Sequence, residues 1–259
     1  MAESEVDSAP LVVARAAGKR FADGTLALQS IELSIQRQEF VTIVGPSGCG
    51  KSTFLRLVAG LTEASAGTLT VADVAPVVAR RASNDMAFVF QDPNLLPWRT
   101  VERNVSLPLE LANRNSEVRS EHVNTALQMV GLEEFRRSFP SQLSGGMRMR
   151  VSIARALVTQ PRLLLMDEPF GALDALTREK MNLELLDIWQ KSQKTIIFVT
   201  HGIQEAVFLG THVAVMSPSP ARLADYFEVD LPHPRGLEIK TQENFGIYAR
   251  RIYKLLGMD

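Results

Sequence analysis

Nine residues constrain this chain more than any others: Gly45-Pro46-Ser47-Gly48-Cys49-Gly50-Lys51-Ser52-Thr53. They fit G-x-x-x-x-G-K-[ST], a phosphate-binding loop. Ahead of them Phe40-Val41-Thr42-Ile43-Val44 is apolar and β-branched, which reads as a buried parallel strand. Behind them Phe54 to Ala59 reads as a helix stopped by Gly60. The glycines matter because backbone N–H groups must converge on an anion, and a Cβ would block that approach. The helix that starts here adds its positive dipole end. Lys51 brings a mobile charge to the β- and γ-phosphates, and the Ser52 hydroxyl can bind Mg²⁺. At average residue frequencies roughly one chain in a hundred of this length would match by chance. The flanking strand and helix make coincidence rarer still.

The length, 259 residues, suits one large α/β domain or a core with a subdomain. A formal net charge of −1 gives no overall electrostatic case for nucleic acid or for an anionic membrane surface. One cysteine excludes an intramolecular disulfide. No apolar run approaches the length needed to span a bilayer. Met1 to Pro10 is acidic and polar, so it reads as a loose tail and not as a signal peptide. Work at a membrane would therefore need other chains to hold this one there.

Taken in order, Leu11 to Ala14 reads as a first strand, followed by Phe21, whose ordinary reading is a core or strand-edge aromatic. Ala27 to Ile35 alternates as a half-buried strand does. Thr62 to Gly67 reads as a turn, then Thr68 to Val71 and Met86 to Phe90 as strands. Gln91 thus stands at a strand's carboxyl end, where open α/β sheets place ligand contacts. From Val101 to Val158 the signal is helical, with Asn104 to Ala112, Glu117 to Val130 and Gly145 to Val158 as the expected helices. This predicts a helical insertion.

Leu143-Ser144-Gly145-Gly146-Met147 opens the last of these helices. Ser144 can cap it, and the glycines leave N–H groups accessible, so it is either a second anion-binding helix start or a plain capped helix. Arg148, Arg150 and Arg155 follow and read as a solvated face. Arg162 to Met166 reads as a buried strand that ends in Asp167 and Glu168. Beside a phosphate loop the first carboxylate can hold Mg²⁺ and the second can activate water. Without that loop the pair would read as an exposed acidic turn. Gly171 to Asp174 leads into a helix ending near Gln190. Thr195 to Thr200 is a buried strand ending in His201, which shares a sheet edge with Gln91 and Glu168 if the strands are parallel. Val213 to Met216 is a further strand, and a short helix lies near Phe245 to Leu256.

Together these residues resemble the ATPase subunit of ABC transporters, over roughly Leu11 to Met216. Gly45 to Thr53 is similar to the Walker A motif, and Leu163 to Asp167 to Walker B, with Glu168 as the catalytic carboxylate. Gln91 is similar to the Q-loop, Leu143 to Met147 to the signature motif, Ala172 to Asp174 to the D-loop, and His201 to the switch histidine. Phe21 falls where the family stacks an aromatic on adenine, which reverses its ordinary reading. Leu95-Leu96-Pro97-Trp98, Asp167 to Asp174 and Ser217-Pro218 resemble the bacterial importers for nitrate, sulfonates and taurine. The signature departs from the family's usual Gln at Met147 and Met149, and Gln38 replaces a usual Gly. None of these changes removes a catalytic group.

The resemblance implies an ABC-ATPase fold of the P-loop NTPase class: a mainly parallel sheet core with an antiparallel β subdomain and an inserted helical subdomain. The implied division is a tail at 1–10, an ATP-binding core at 11–91 and 159–217, a helical signature subdomain at 92–158 and a C-terminal extension at 218–259. It implies Ser52, Gln91 and Asp167 around Mg²⁺, with Glu168, His201 and Gln91 acting on ATP. Phe21, Gly45 to Thr53, Ser144, Gly145, Gly146 and Asp174 would contact the nucleotide. It also implies a head-to-tail dimer around two ATP, permease subunits docking near Trp98, indirect service to a solute-binding protein, and a place on the cytoplasmic face of the plasma membrane. A soluble ABC ATPase is the alternative, although this chain lacks the second cassette or long coiled coil usual there. A P-loop kinase or GTPase fits the signature motif and His201 poorly, and a non-hydrolysing regulatory module fits Glu168 and His201 poorly. From its place in an N–H-rich loop, Cys49 is expected to be readily alkylated and shielded by ATP.

Overall fold

The computed structural model describes residues 9–82 and 85–258, so most of the expected tail lies outside the described residues. The described chain forms two compact units, one containing the residues up to 82 and from 193 onward, the other those from 85 to 192.

The first unit contains an antiparallel sheet, β2 (Leu26–Ile35), β1 (Val12–Arg20) and β4 (Ala66–Val71), in that order. Val12 lies opposite Ile35 on one side and Val71 on the other. Ile31, Leu33 and Ile35 face inward, with Ser30, Glu32 and Ser34 exposed between them, as alternation requires. Beside this sheet in sequence, β3 (Phe40–Val44) is buried at every position. It pairs in parallel with β7 (Thr195–Thr200) and β8 (His212–Met216), which explains its unbroken apolar run. Helix α1 (Lys51–Val58) contacts β2, β4 and β7. A short helix α2 (Pro76–Ala82) follows β4. Helix α7 (Ile203–Leu209) packs on β3 and β7. Strand β9 (Leu223–Glu228) adds antiparallel to β8, and α8 (Glu243–Leu255) packs on α7 through a face that includes the buried Phe245, Ala249 and Ile252.

The C-terminal segment is bound in by one cation. Arg235, 4 % exposed, donates to the carbonyls of Val207, Phe208 and Gly210 at the end of α7, and to those of Val229 and Leu231. Carbonyls at a helix C-terminus have no intrahelical partner, and a cation suits the negative dipole end there.

In the second unit β5 (Met86–Val89) pairs in parallel with β6 (Leu163–Asp167). Among the described residues four α-helices accompany them: α3 (Val101–Leu111), α4 (Ser116–Met129), α5 (Gly145–Leu157) and α6 (Ala175–Ser192). Each starts on a residue whose side chain accepts from the first turn. Thr100 accepts from Arg103 N, Asn115 from Val118 N, Ser144 from Met147 N and Asp174 from Thr177 N. Helix α5 contacts α3, α4 and α6. The expected helices match these within a few residues. The spacing did not predict α2, α7 or β9.

Candidate active site

The phosphate loop leaves β3 and enters α1. Gly50, with φ 124°, occupies the N-cap position with no side-chain hydrogen bond. A Cβ there would meet Leu28 Cδ2 at 2.9 Å and the Ala27 carbonyl at 3.0 Å, so no other residue fits without displacing β2. No acidic residue stands in the first turn of α1. A helix start that lacks both a capping side chain and a carboxylate suits an external anion. Lys51 is buried and donates to the carbonyls of Gly45 and Pro46, each at 2.9 Å. Its ammonium is therefore folded back over the loop itself.

Parallel register fixes what lies beside the loop. Val44 is paired with Thr200 of β7, so Gly45 and His201 leave the same edge of adjacent strands. Thr200 frames the histidine. Its hydroxyl donates to Glu205 at 2.5 Å and accepts from Gly202 N at 2.9 Å, an arrangement that locks the turn around the exposed His201. Phe21 sits in the tight connection from β1 to β2, with its N–H on the Thr25 carbonyl at 2.9 Å. It is 42 % exposed, with Lys19 Nζ 5.6 Å from the ring centroid. It is thus an exposed ring with a cation beside it, not a core residue.

The same logic operates in the second unit. Val89 pairs with Met166, so Gln91 and the Asp167-Glu168 pair leave one edge of adjacent strands. Glu168 has φ 46°, the left-handed region, which is uncommon for a residue with a Cβ. Strain of that kind concentrates at functional sites. Gly171 N donates to the Glu168 carbonyl at 3.0 Å, and a Cβ at Gly171 would lie 3.2 Å from Gln91 Nε2. Gln91 therefore rests on the turn that follows the acidic pair. Asp174 caps α6 through Thr177, and hydrogen bonding from Thr177 holds its carboxyl below the usual range. Ser144 caps α5, while Gly146 is buried against α6. Gly146 thus serves packing as well as leaving the helix start open.

Among the described residues no group of three or more His, Cys, Asp or Glu gathers to hold a metal ion. In the first unit Ser52 offers a hydroxyl oxygen, and in the second Gln91 and Asp167 offer amide and carboxylate oxygens. Each is a hard donor of the kind Mg²⁺ takes, an ion that needs few protein ligands and completes its shell with phosphates and water.

The ABC transporter family model matches residues 28–171, more than half of the chain. The chain belongs to the ABC transporter family. It is an ATPase of that family and binds ATP. It is 48 % identical over 204 residues to the taurine import ATP-binding protein TauB of Rhizobium johnstonii, covering 79 % of this chain and 77 % of that one. It is 41 % identical over 225 residues to the aliphatic sulfonates import ATP-binding protein SsuB of Bacillus cereus, covering 87 % and 86 %. An uncharacterized ABC transporter ATP-binding protein of Methanocaldococcus jannaschii is 45 % identical over 230 residues, covering 89 % and 84 %.

Solved structures agree on the ATPase fold. The cbiO1 protein of Clostridium perfringens, part of the ABC transporter complex cbiONQ, aligns with TM-score 0.80 at 25 % identity, covering 95 % of each chain. A dimeric ATP-binding cassette in a post-hydrolysis state, bound to ADP and Pi, aligns with TM-score 0.72 at 33 % identity, covering 87 % of this chain and all of that one.

Two expectations are corrected in this ABC ATPase. Cys49 is 2 % exposed, and its Sγ lies 3.2 Å from where a Gly45 Cβ would be, so packing hides the thiol that the loop's N–H groups were expected to activate. The arginines of α5 are not simply a solvated face. Arg150 pairs with Glu184, and Arg155 donates to the carbonyls of Pro93 and Asn94. The sequence does not mark Arg155, Thr200, Glu205 or Arg235 as site or framework residues. Their partners are backbone carbonyls or short local turns, which leave no pattern in the sequence.

Proposed function

We propose that this chain is the ATP-hydrolysing subunit of an importer for a small oxoanion, of the sulfonate, taurine or nitrate kind. The observation that carries the reading is the parallel pairing of Val44 with Thr200 and of Val89 with Met166, after which Gly45 and His201 leave one strand edge and Gln91 and Glu168 another. The relatives named for taurine and sulfonate import support the solute class.

In this reading Lys51 and the N–H groups of Gly45 to Thr53 hold the phosphates, and Phe21 stacks on the adenine. Ser52, Gln91 and Asp167 hold Mg²⁺, which supplies charge neutralisation on the phosphates when bound. Glu168 accepts a proton from the attacking water, and His201 contacts the γ-phosphate. Ser144, Gly145, Gly146 and Asp174 act on the nucleotide of a second copy in a two-fold dimer. Residues 92–158 serve as the helical signature subdomain, 11–91 with 159–217 as the ATP-binding core, and 218–259 as a C-terminal extension. The chain sits at the cytoplasmic face of the membrane, held by permease subunits and served indirectly by a solute-binding protein. No helix among the described residues is long and apolar enough to cross a membrane.

The test is growth of a host strain lacking this gene on taurine, an alkanesulfonate or nitrate as the limiting nutrient. The reading expects loss of growth on at least one, restored by the wild-type chain and not by Glu168→Gln. Undiminished growth on all three would remove the oxoanion assignment.

A further inference from the structure

We propose that Arg155 is a positioning residue that fastens the loop from Gln91 to Trp98 onto helix α5, so that this loop and the helix start at Ser144 move as one body. The proposal rests on the roles given above to Gln91 and to Ser144–Gly146. Arg155 Nη2 donates to the Pro93 carbonyl at 2.6 Å, and Nη1 to the Asn94 carbonyl at 2.8 Å. Asn94 has φ 48°, and its turn is locked by Asp92, whose carboxylate accepts from Asn94 N at 3.2 Å. The turn thus presents two successive carbonyls to one planar fork. A lysine, as a point charge, cannot hold both with that geometry.

The arrangement is costly. Burial pushes the Arg155 guanidinium below its ordinary range, and among the described residues no carboxylate pairs with it. Its charge is met by carbonyl dipoles and by Ser152 Oγ at 3.5 Å. If only bulk were needed, an apolar side chain would fill the place at lower cost. What the guanidinium adds is a two-point connection of fixed geometry.

A second clamp holds the far end of the same loop. Asn104 of α3 is fully buried, accepts from Leu96 N at 2.8 Å and donates to the carbonyls of Leu96, Arg99 and Thr100. Trp98 is therefore 72 % exposed on a segment fixed on both sides. From Ser144 to Arg155 runs one continuous helix, about 16 Å long at 1.5 Å per residue. A displacement applied at Trp98 reaches Arg155 through its carbonyl partners, and through the helix it reaches the signature residues. The converse holds for a contact made at Ser144.

Amide hydrogen exchange on the full chain tests this in the Glu168→Gln background, which is expected to retain ATP. ATP should slow exchange at Gly145 to Arg148, and also at Asn94, Leu96 and Arg99, by at least about tenfold. In Arg155→Lys/Glu168→Gln the first effect should persist, and the second should shrink below about twofold. A purely structural role would instead raise exchange throughout the unit with or without ATP. Arg155→Gln is run alongside in case the lysine variant fails to fold. Equal slowing of the loop in the Arg155 variants overturns the proposal. So does a loop that ignores ATP in Glu168→Gln while the helix start responds. If neither segment responds in Glu168→Gln, the ATP-site reading itself has failed and the clamp falls with it.

Discussion

Gly146 lies so close to Thr177 that a Cβ added to it would sit 2.9 Å from the Thr177 methyl. The second glycine of the signature is therefore required by the packing of α5 on α6, whatever it also does for phosphate. Gly146→Ala should gain about 0.5–1 kcal/mol of helix propensity and lose about 1–3 kcal/mol to overpacking, so it should melt earlier. Thr177→Ser removes the offending methyl. Gly146→Ala/Thr177→Ser should recover most of the melting temperature, measured by thermal unfolding. A double variant no more stable than Gly146→Ala alone would show that the methyl is not the cause. ATPase loss that survives this rescue can then be assigned to the helix start and not to misfolding.

Trp98 is expected to serve association and not chemistry. Exposed aromatics tend to mark interfaces, and this one stands on a segment held by Asn104. Trp98→Ala should leave ATP binding by the isolated chain unchanged and weaken retention by the permease subunits by about tenfold or more. Co-purification of the tagged variant from membranes reads this out. Undiminished retention would move the docking surface elsewhere.

Cys49 should resist a maleimide in the native state, because it is buried beneath the Gly45 turn. Labelling should become fast on unfolding in guanidinium, and Cys49→Ser should fold and hydrolyse ATP. Rapid labelling of the native chain would mean that the loop opens far more often than its packing suggests.

The C-terminal segment should make stability pH-dependent in a defined window. Burial, with Arg235 nearby, pushes His233 down to about 4 from an ordinary 6.5. The folded chain thus binds fewer protons there than the unfolded chain between these values. Its contribution is present above pH 6.5 and is lost as pH falls towards 4. His233→Gln should flatten the melting temperature across that window. Arg235→Met removes the donor to five carbonyls, of which Val229 keeps the Leu231 N–H, and should lower stability by about 3–5 kcal/mol; Arg235→Lys should rescue little of it. Urea unfolding measures both. An unchanged pH profile in His233→Gln would assign the slope to other groups.

What the sequence revealed follows physical signal strength. The apolar run of β3 and the glycine spacing after it reflect backbone demands with few alternative solutions, so both the strand and the loop were readable. Gln91, Glu168 and His201 were readable because each is polar at the end of an apolar strand. Strand β9, Leu-Ala-Asp-Tyr-Phe-Glu, was not, since its burial follows no clean alternation. Helix α7 has seven residues, too few to establish a helical period. Arg155 looked like a surface cation because its partners are backbone carbonyls about sixty residues earlier, and those carry no sequence code. The burial of Cys49 is hidden from the sequence for a related reason. Local N–H density can be inferred from the loop pattern, whereas the way the loop folds its own thiol inward cannot.

The central claim is that Glu168 performs hydrolysis while nucleotide is held by other groups, chiefly Lys51 and the N–H groups of the loop. Its left-handed backbone at the end of β6 sets it apart from Asp167 within the same turn. Glu168→Gln keeps shape and removes the base, so phosphate release should fall by about a hundredfold or more. ATP affinity should change little, and the variant should accumulate as an ATP-bound dimer. Lys51→Ala should instead fail to bind nucleotide and remain monomeric. Size-exclusion chromatography with saturating ATP, run beside a phosphate-release assay, is the most direct measurement. The account predicts an inactive dimer for Glu168→Gln and an inactive monomer for Lys51→Ala. A Glu168→Gln chain that releases phosphate at the wild-type rate would contradict it.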